Sequence, residues 1–93
     1  MKFMAMCSSG LGSSFMVELN IKNALQELGV NDAEVTHSDL GGASPNDADV
    51  FVIGRDLADA TDHFPNRVIL DSIIDKAELK KKLAAVCQEK GLL

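Results

Sequence analysis

Residues 1–14 read MKFMAMCSSGLGSS, and the fold turns on how this stretch is read. Lys2–Met6 is short and mostly apolar, and alone such a run fits strand or helix equally. The residues after it favour a strand. Cys7 opens a loop of serine, glycine and one leucine, and a helical pattern begins at Ser14. Val17, Ile21, Ala24, Leu25 and Leu28 recur at helical spacing, with Glu18, Lys22, Gln26 and Glu27 assigned to other faces. Gly29 supplies the left-handed residue on which helices often end. The opening is therefore a strand, a small-residue loop and a helix over 14–28.

The remainder continues the alternation. Ala33–Ser38 (AEVTHS) reads as a second strand. Asp39–Asp49 is dense in Gly, Pro, Asn and Asp and reads as a loop. A single helical turn is expected there near Ser44–Asp47, with Ser44 as cap and Pro45 at its first position. Val50–Ile53 (VFVI) is continuously apolar, the mark of a strand buried on both faces of a parallel sheet. Gly54–Asp62 reads as a short, weak helix and Arg67–Leu70 (RVIL) as a fourth strand. Asp75 and Glu78 have the spacing of a capping box. The helix they open carries Leu79, Leu83, Val86 and Cys87 on one stripe and ends at Gly91.

Strands alternating with helices imply an α/β fold with a parallel sheet. Right-handed crossovers narrow the topology. The expectation is one domain over residues 1–93, a three-layer α/β/α arrangement with a four-stranded parallel sheet in order 2-1-3-4. Open sheets of this kind bind ligands outside the carboxyl ends of the strands, where the strand order reverses. Here that point lies between strands 1 and 3, with Cys7 at the C-terminal end of strand 1 and the loops after Ile53 and Leu70 flanking it.

Bulk composition narrows the function. A net charge of −5 argues against nucleic acid, whose phosphates require clustered Lys and Arg. No apolar run approaches the length of a membrane span, and the first residues are too short in apolar character for a secretory signal. The expected location is the cytoplasm, without membrane insertion. Two cysteines, Cys7 and Cys87, and two histidines, His37 and His63, show no metal-ligand spacing. No zinc site is expected, and no disulfide in a reducing compartment.

The loop itself points to phosphate chemistry. Ser8–Ser13 lead into a helix N-terminus, where free N–H groups and the helix dipole favour an anion. Gly10 and Gly12 let the backbone curl so that successive N–H groups converge. Ser8, Ser9, Ser13 and Ser14 add hydroxyl donors without bulk. A cysteine at the mouth of such a nest has its thiolate stabilised and becomes a better nucleophile. The same nest would hold three phosphoryl oxygens carried on the sulfur. The loop is neither the dinucleotide fingerprint, since position 15 is Phe, nor a nucleotide P-loop, since it has no lysine. Low-molecular-weight tyrosine phosphatases use C-x5-R-S/T at this place. Here Ser13 stands where the arginine would be, so that clamp on the phosphoryl oxygens is absent.

Cys7-Ser8-Ser9-Gly10-Leu11-Gly12-Ser13-Ser14 resembles the phosphorylation loop of the IIB components of the phosphoenolpyruvate-dependent sugar phosphotransferase system. Within the lactose, ascorbate and galactitol kind, the likeness is nearest to ascorbate-type IIB proteins, whose loop runs roughly C-G-x-G-x-G-S-S. It continues through Ala48–Gly54 (ADVFVIG), Asn66–Asp71 (NRVILD) and the final amphipathic helix, and so covers essentially the whole chain. Ser8 departs from the family's usual glycine. The resemblance implies a Rossmann-like fold, similar to that of the low-molecular-weight phosphatases. It implies that Cys7 accepts a phosphoryl group from a phosphohistidine on a IIA protein. The group then passes to a sugar held by the membrane IIC transporter, an ascorbate-like pentose or hexose derivative. It makes Ser8, Ser9, Gly10, Leu11, Gly12, Ser13 and Ser14 the phosphate cradle, with no metal or organic cofactor, because the donor arrives covalently activated.

Two other function classes remain open on the residues alone. One is a phosphatase or arsenate-reductase-like enzyme using Cys7. The other is a module that binds phosphate or a flavin phosphate without covalent chemistry. Cys87, on the apolar stripe of the last helix, reads as packing. Arg55 reads as a solvated surface residue or a contact to phosphate or partner, and Asp71 as a turn residue. His37 and His63 belong to no motif. Phe15 and Met16 fit core packing and partner docking equally.

Overall fold

A computed structural model of the chain describes residues 1–6, 13–38 and 44–92. Its elements are β1 (Lys2–Met6), α1 (Ser13–Glu27), β2 (Glu34–Ser38), β3 (Val50–Gly54), β4 (Arg67–Leu70) and α2 (Lys76–Glu89). Two 3-10 turns, Arg55–Leu57 and Asp59–Thr61, lie between β3 and β4. The four strands form one parallel sheet in the order β2-β1-β3-β4, as expected.

Sheet order and crossover hand together dictate the layers. The connection from β1 to β2 steps one way across the sheet, and that from β3 to β4 steps the other way. With one hand of crossover, the two connections must cover opposite faces. The core divides accordingly. Phe3, Ala5, Val50, Val52, Val68 and Leu70 face both long helices, which contribute Val17, Ile21, Leu25, Leu79, Leu83 and Cys87. Met4, Met6, Phe51 and Ile53 face the other way, toward Leu57 and Phe64. The third layer is therefore thin, two 3-10 turns where one short helix was expected. Over Arg55–Asp62 only Leu57 and Thr61 are buried, too little apolar surface to nucleate a regular helix. The Thr61 hydroxyl donates to the Leu57 carbonyl at 2.7 Å and keeps its buried oxygen paired. Phe64 seals this layer, its ring 4.8 Å from Phe51 and nearly perpendicular to it.

Both helices end on glycine as expected, and by the same device. Gly29 and Gly91 have φ of +82° and +79°. After each, the next N–H reaches back five residues, Val30 to the Leu25 carbonyl at 2.8 Å and Leu92 to Cys87 at 2.7 Å. Val30 and Leu92 then pack on the core below their helix. Asn66, the residue before β4, also has positive φ, and its amide donates to the Asp49 carbonyl at 3.0 Å.

Two local expectations need correction. Ser44–Asp47 forms a β-turn, not a helical turn capped by Ser44. The Asp47 N–H bonds the Ser44 carbonyl at 3.0 Å, and the Asp47 carboxylate takes the Ser44 N–H at 2.8 Å. With the chain bound to β1 again at Asp49, there is no length for a further turn. Glu18, assigned to an outer helix face, is 8% exposed. It is buried because α1 sets it against β2, where His37 meets it.

Cys87 is fully buried in the larger core, and desolvation raises its thiol pKa. A thiol reagent should therefore leave Cys87 untouched in the native protein and modify it once denaturant unfolds the chain. Peptide mapping of the labelled cysteines checks this, and native-state labelling at Cys87 would contradict the packing.

Candidate functional site

The strands end nearly level at their carboxyl edge. Met6 pairs with Ser38 on one side and Ile53 on the other, and Gly54 pairs with Leu70. Arg55 and Asp71, the residues after β3 and β4, are thus brought to this rim. Strand order reverses between β1 and β3, so the expected ligand-binding point of the sheet is where Met6 ends. Cys7, Ser8, Ser9, Gly10, Leu11 and Gly12 lie outside the described residues, as does 39–43. Ser13 and Ser14 open α1.

The two helix N-termini at this rim differ. α2 has carboxylates at its start: Asp75 caps it, accepting the Glu78 N–H at 3.0 Å, and Glu78 lies in its first turn. α1 has no acidic residue in its first turn. No carboxylate of that turn offsets its positive dipole end, the condition that suits an external anion.

Glu78 does not complete the expected capping box. Its carboxylate accepts instead from the Asp71 N–H at 2.9 Å and the Ser72 N–H at 3.1 Å. Lys82 donates to it at 2.8 Å, and to the Ile69 carbonyl at 2.6 Å. The Lys82 ammonium, and then the two N–H groups, hold the Glu78 carboxyl down from 4.5 to about 2. A folded-state pKa below the unfolded one stabilises the fold above the unfolded value, and that gain is lost as pH falls through the folded value. The stability gap between wild type and Glu78→Gln should therefore be full above about pH 4.5 and close toward pH 2. Denaturant titration at a series of pH values checks this. A gap unchanged across the window would leave ionisation without a role.

Arg55 and Asp71, which follow β3 and β4, form an ion pair, Nη1 to Oδ1 at 2.9 Å. Both are largely exposed, with side chains 73% and 65% accessible. Toward β2, the buried Glu18 carboxylate meets His37 Nδ1 at 3.1 Å, and Lys22 stands 4.0 Å from its other oxygen. Phe15 sets its ring edge-on to His37, centroids 5.8 Å apart, and is 56% exposed, whereas Met16 is half-buried. His63 instead leans on Phe64 at 4.6 Å. Neither the Glu18–His37 pair nor the Arg55–Asp71 pair was expected from the sequence. Their members are 19 and 16 residues apart on different elements, and only the level strand ends hint at the second.

Among the described residues, no group of three or more His, Cys, Asp or Glu side chains stands close enough to hold a metal ion. None of their helices is long and apolar enough to cross a membrane.

With this geometry in place, comparison with known proteins is informative. The family model described as PTS system, Lactose/Cellobiose specific IIB subunit, matches residues 2–85. That span runs from the start of β1 into α2, so it takes in the whole sheet. No curated protein matches the chain.

Proposed function

Because the chain belongs to the lactose/cellobiose-specific IIB family of the phosphotransferase system, we propose that Cys7 is its phosphoryl-carrying residue, with Ser8 to Ser14 as the cradle. Membership makes the protein a phosphoryl carrier of sugar uptake that works between IIA and IIC components. On our reading, residues 1–93 act as a single IIB domain at the cytoplasmic side of the membrane. The sugar is an ascorbate-like derivative, a choice supported by the likeness of Cys7–Ser14 to the ascorbate-type loop.

The chemistry balances in two steps. The Cys7 sulfur attacks the phosphorus of a phosphohistidine on IIA. The P–N bond breaks, the S–P bond forms, and the thiol proton ends on the released imidazole. A sugar hydroxyl at IIC then attacks the same phosphorus. The S–P bond breaks, a phosphate ester forms, and the hydroxyl proton ends on the leaving sulfur, which regenerates the thiol. A carrier must hold the phosphocysteine against water, and the lack of an arginine at position 13 removes one contact that would stabilise the transition state of hydrolysis.

The observation that carries this reading is the start of α1. It follows β1 at the reversal point of the sheet, with a first turn free of carboxylates. The test is intact-mass spectrometry after incubation with phosphoenolpyruvate, the general phosphotransferase proteins and candidate IIA proteins. One added phosphoryl group on a Cys7-containing peptide is the expected result. No addition from any donor, together with turnover of an aryl phosphate, would replace the carrier with a phosphatase.

A further inference from the structure

The phosphoryl group that this reading brings to Cys7 carries nearly two negative charges, and the cradle offers only N–H and O–H donors. Nine Lys and Arg residues are present in the chain. Arg55 alone among them directly follows the carboxyl end of a strand. That strand, β3, is the neighbour of β1 at the reversal point, with Met6 and Ile53 in register. Adjacent strands stand roughly 4.8 Å apart. The chain therefore leaves β1 at Met6 beside the strand that leads into Arg55.

The existing partner of Arg55 is weakly held. Asp71 engages one guanidinium nitrogen through one oxygen, and both side chains are well exposed. Exposed pairs of this kind contribute little to folding. A guanidinium can present several N–H donors in a fork, and bidentate pairing with phosphoryl oxygens is stronger than a single exposed contact. Asp71 is itself fixed, because its N–H is bound to Glu78. It can therefore release Arg55 without losing its own place.

We propose that Arg55 binds the phosphoryl group in transit and that Asp71 holds it in reserve, the guanidinium leaving the carboxylate for the phosphoryl oxygens as they arrive at Cys7. This rests on the Cys7 reading above. It gives the transfer a cationic contact that Asp71 withholds between transfers, unlike the standing arginine of a phosphatase loop.

The ion pair makes a signed prediction. If the pair merely braced the rim, removing either partner would shift phosphoryl acceptance in the same direction. If Arg55 serves the phosphoryl group and Asp71 competes for it, the two removals have opposite effects. The rate of Cys7 phosphorylation by a phosphorylated IIA protein, followed by intact mass, should fall about tenfold or more in Arg55→Ala. Arg55→Lys should recover part of the loss, because a point charge replaces a fork. Asp71→Asn should raise the rate about twofold to fivefold, the value of one exposed competitor. Circular dichroism and thermal melts of each variant confirm that the fold is kept. Wild-type acceptance with unchanged rates in Arg55→Ala, or with Arg55→Ala and Asp71→Asn both slower, overturns the role of Arg55 alone. A wild-type protein that accepts no phosphoryl group overturns the Cys7 reading and this inference with it.

Discussion

Cys7→Ser protein, incubated with a complete phosphoryl-donor chain, should remain at its unmodified mass while the wild type gains one phosphoryl group. The substitution changes one atom and leaves the side chain's size almost unchanged. The thiolate is a strong nucleophile at neutral pH, whereas a serine hydroxyl needs an adjacent base to act as one. Acceptance should therefore fall by a factor of about a thousand or more, beyond detection in an end-point assay. The unfolding midpoint should stay close to that of the wild type, which separates lost chemistry from a lost fold. Cys87→Ala supplies the contrast. Its side chain lies in the core between α2 and the sheet, so it should keep full acceptance and lose stability instead. Labelling that followed Cys87, or a histidine, would remove Cys7 from its role.

The second large effect is expected at Phe51. It is fully buried on β3, a central strand, and packs with Met4, Met6, Ile53, Leu57 and Phe64. Phe→Ala in a core typically costs about 3–5 kcal/mol. The upper part of that range is expected here, because the layer above Phe51 is two 3-10 turns and a phenylalanine seated on its ring. Removing the ring takes away the surface on which Phe64 rests. Small domains have total stabilities of about 5–15 kcal/mol, so Phe51→Ala should leave the chain marginal or unfolded at room temperature. Denaturant unfolding read as a midpoint shift checks it. Phe51→Leu, which keeps most of the volume, gives a folded comparison. A loss below about 1 kcal/mol in Phe51→Ala would mean that the thin layer contributes little to the core.

Much of this architecture was legible in the amino-acid order because local patterns and tertiary packing agree. Lys2–Met6 and Arg67–Leu70 are strands within the expected bounds, and Gly29 and Gly91 stop the helices where a left-handed residue is needed. Sheet order followed from alternation and crossover hand. What escaped was non-local pairing between charged groups. Helical periodicity placed Glu18 outside because carboxylates are usually solvated. Its actual position depends on His37, which lies on a strand that the helix precedes. Glu78 matched a capping box by spacing, yet the N–H groups of Asp71 and Ser72, left free past the end of β4, drew it away. The small-residue loop after β1 was conspicuous because glycine and serine in such density have few structural uses. Arg55 was ambiguous because its meaning depends on which strand ends beside it.

The bond from Lys82 to the Ile69 carbonyl has a consequence beyond α2. β4 is the outermost strand on its side of the sheet, and an outer strand is a template on which a strand from another molecule can pair and begin aggregation. Its backbone acceptor at Ile69 is already taken by an ammonium that Glu78 also holds. An intruding strand would have to evict a lysine tethered at both ends and leave a carboxylate without its cation. The charge that lowers the Glu78 pKa thus also blocks one acceptor on the margin of the sheet.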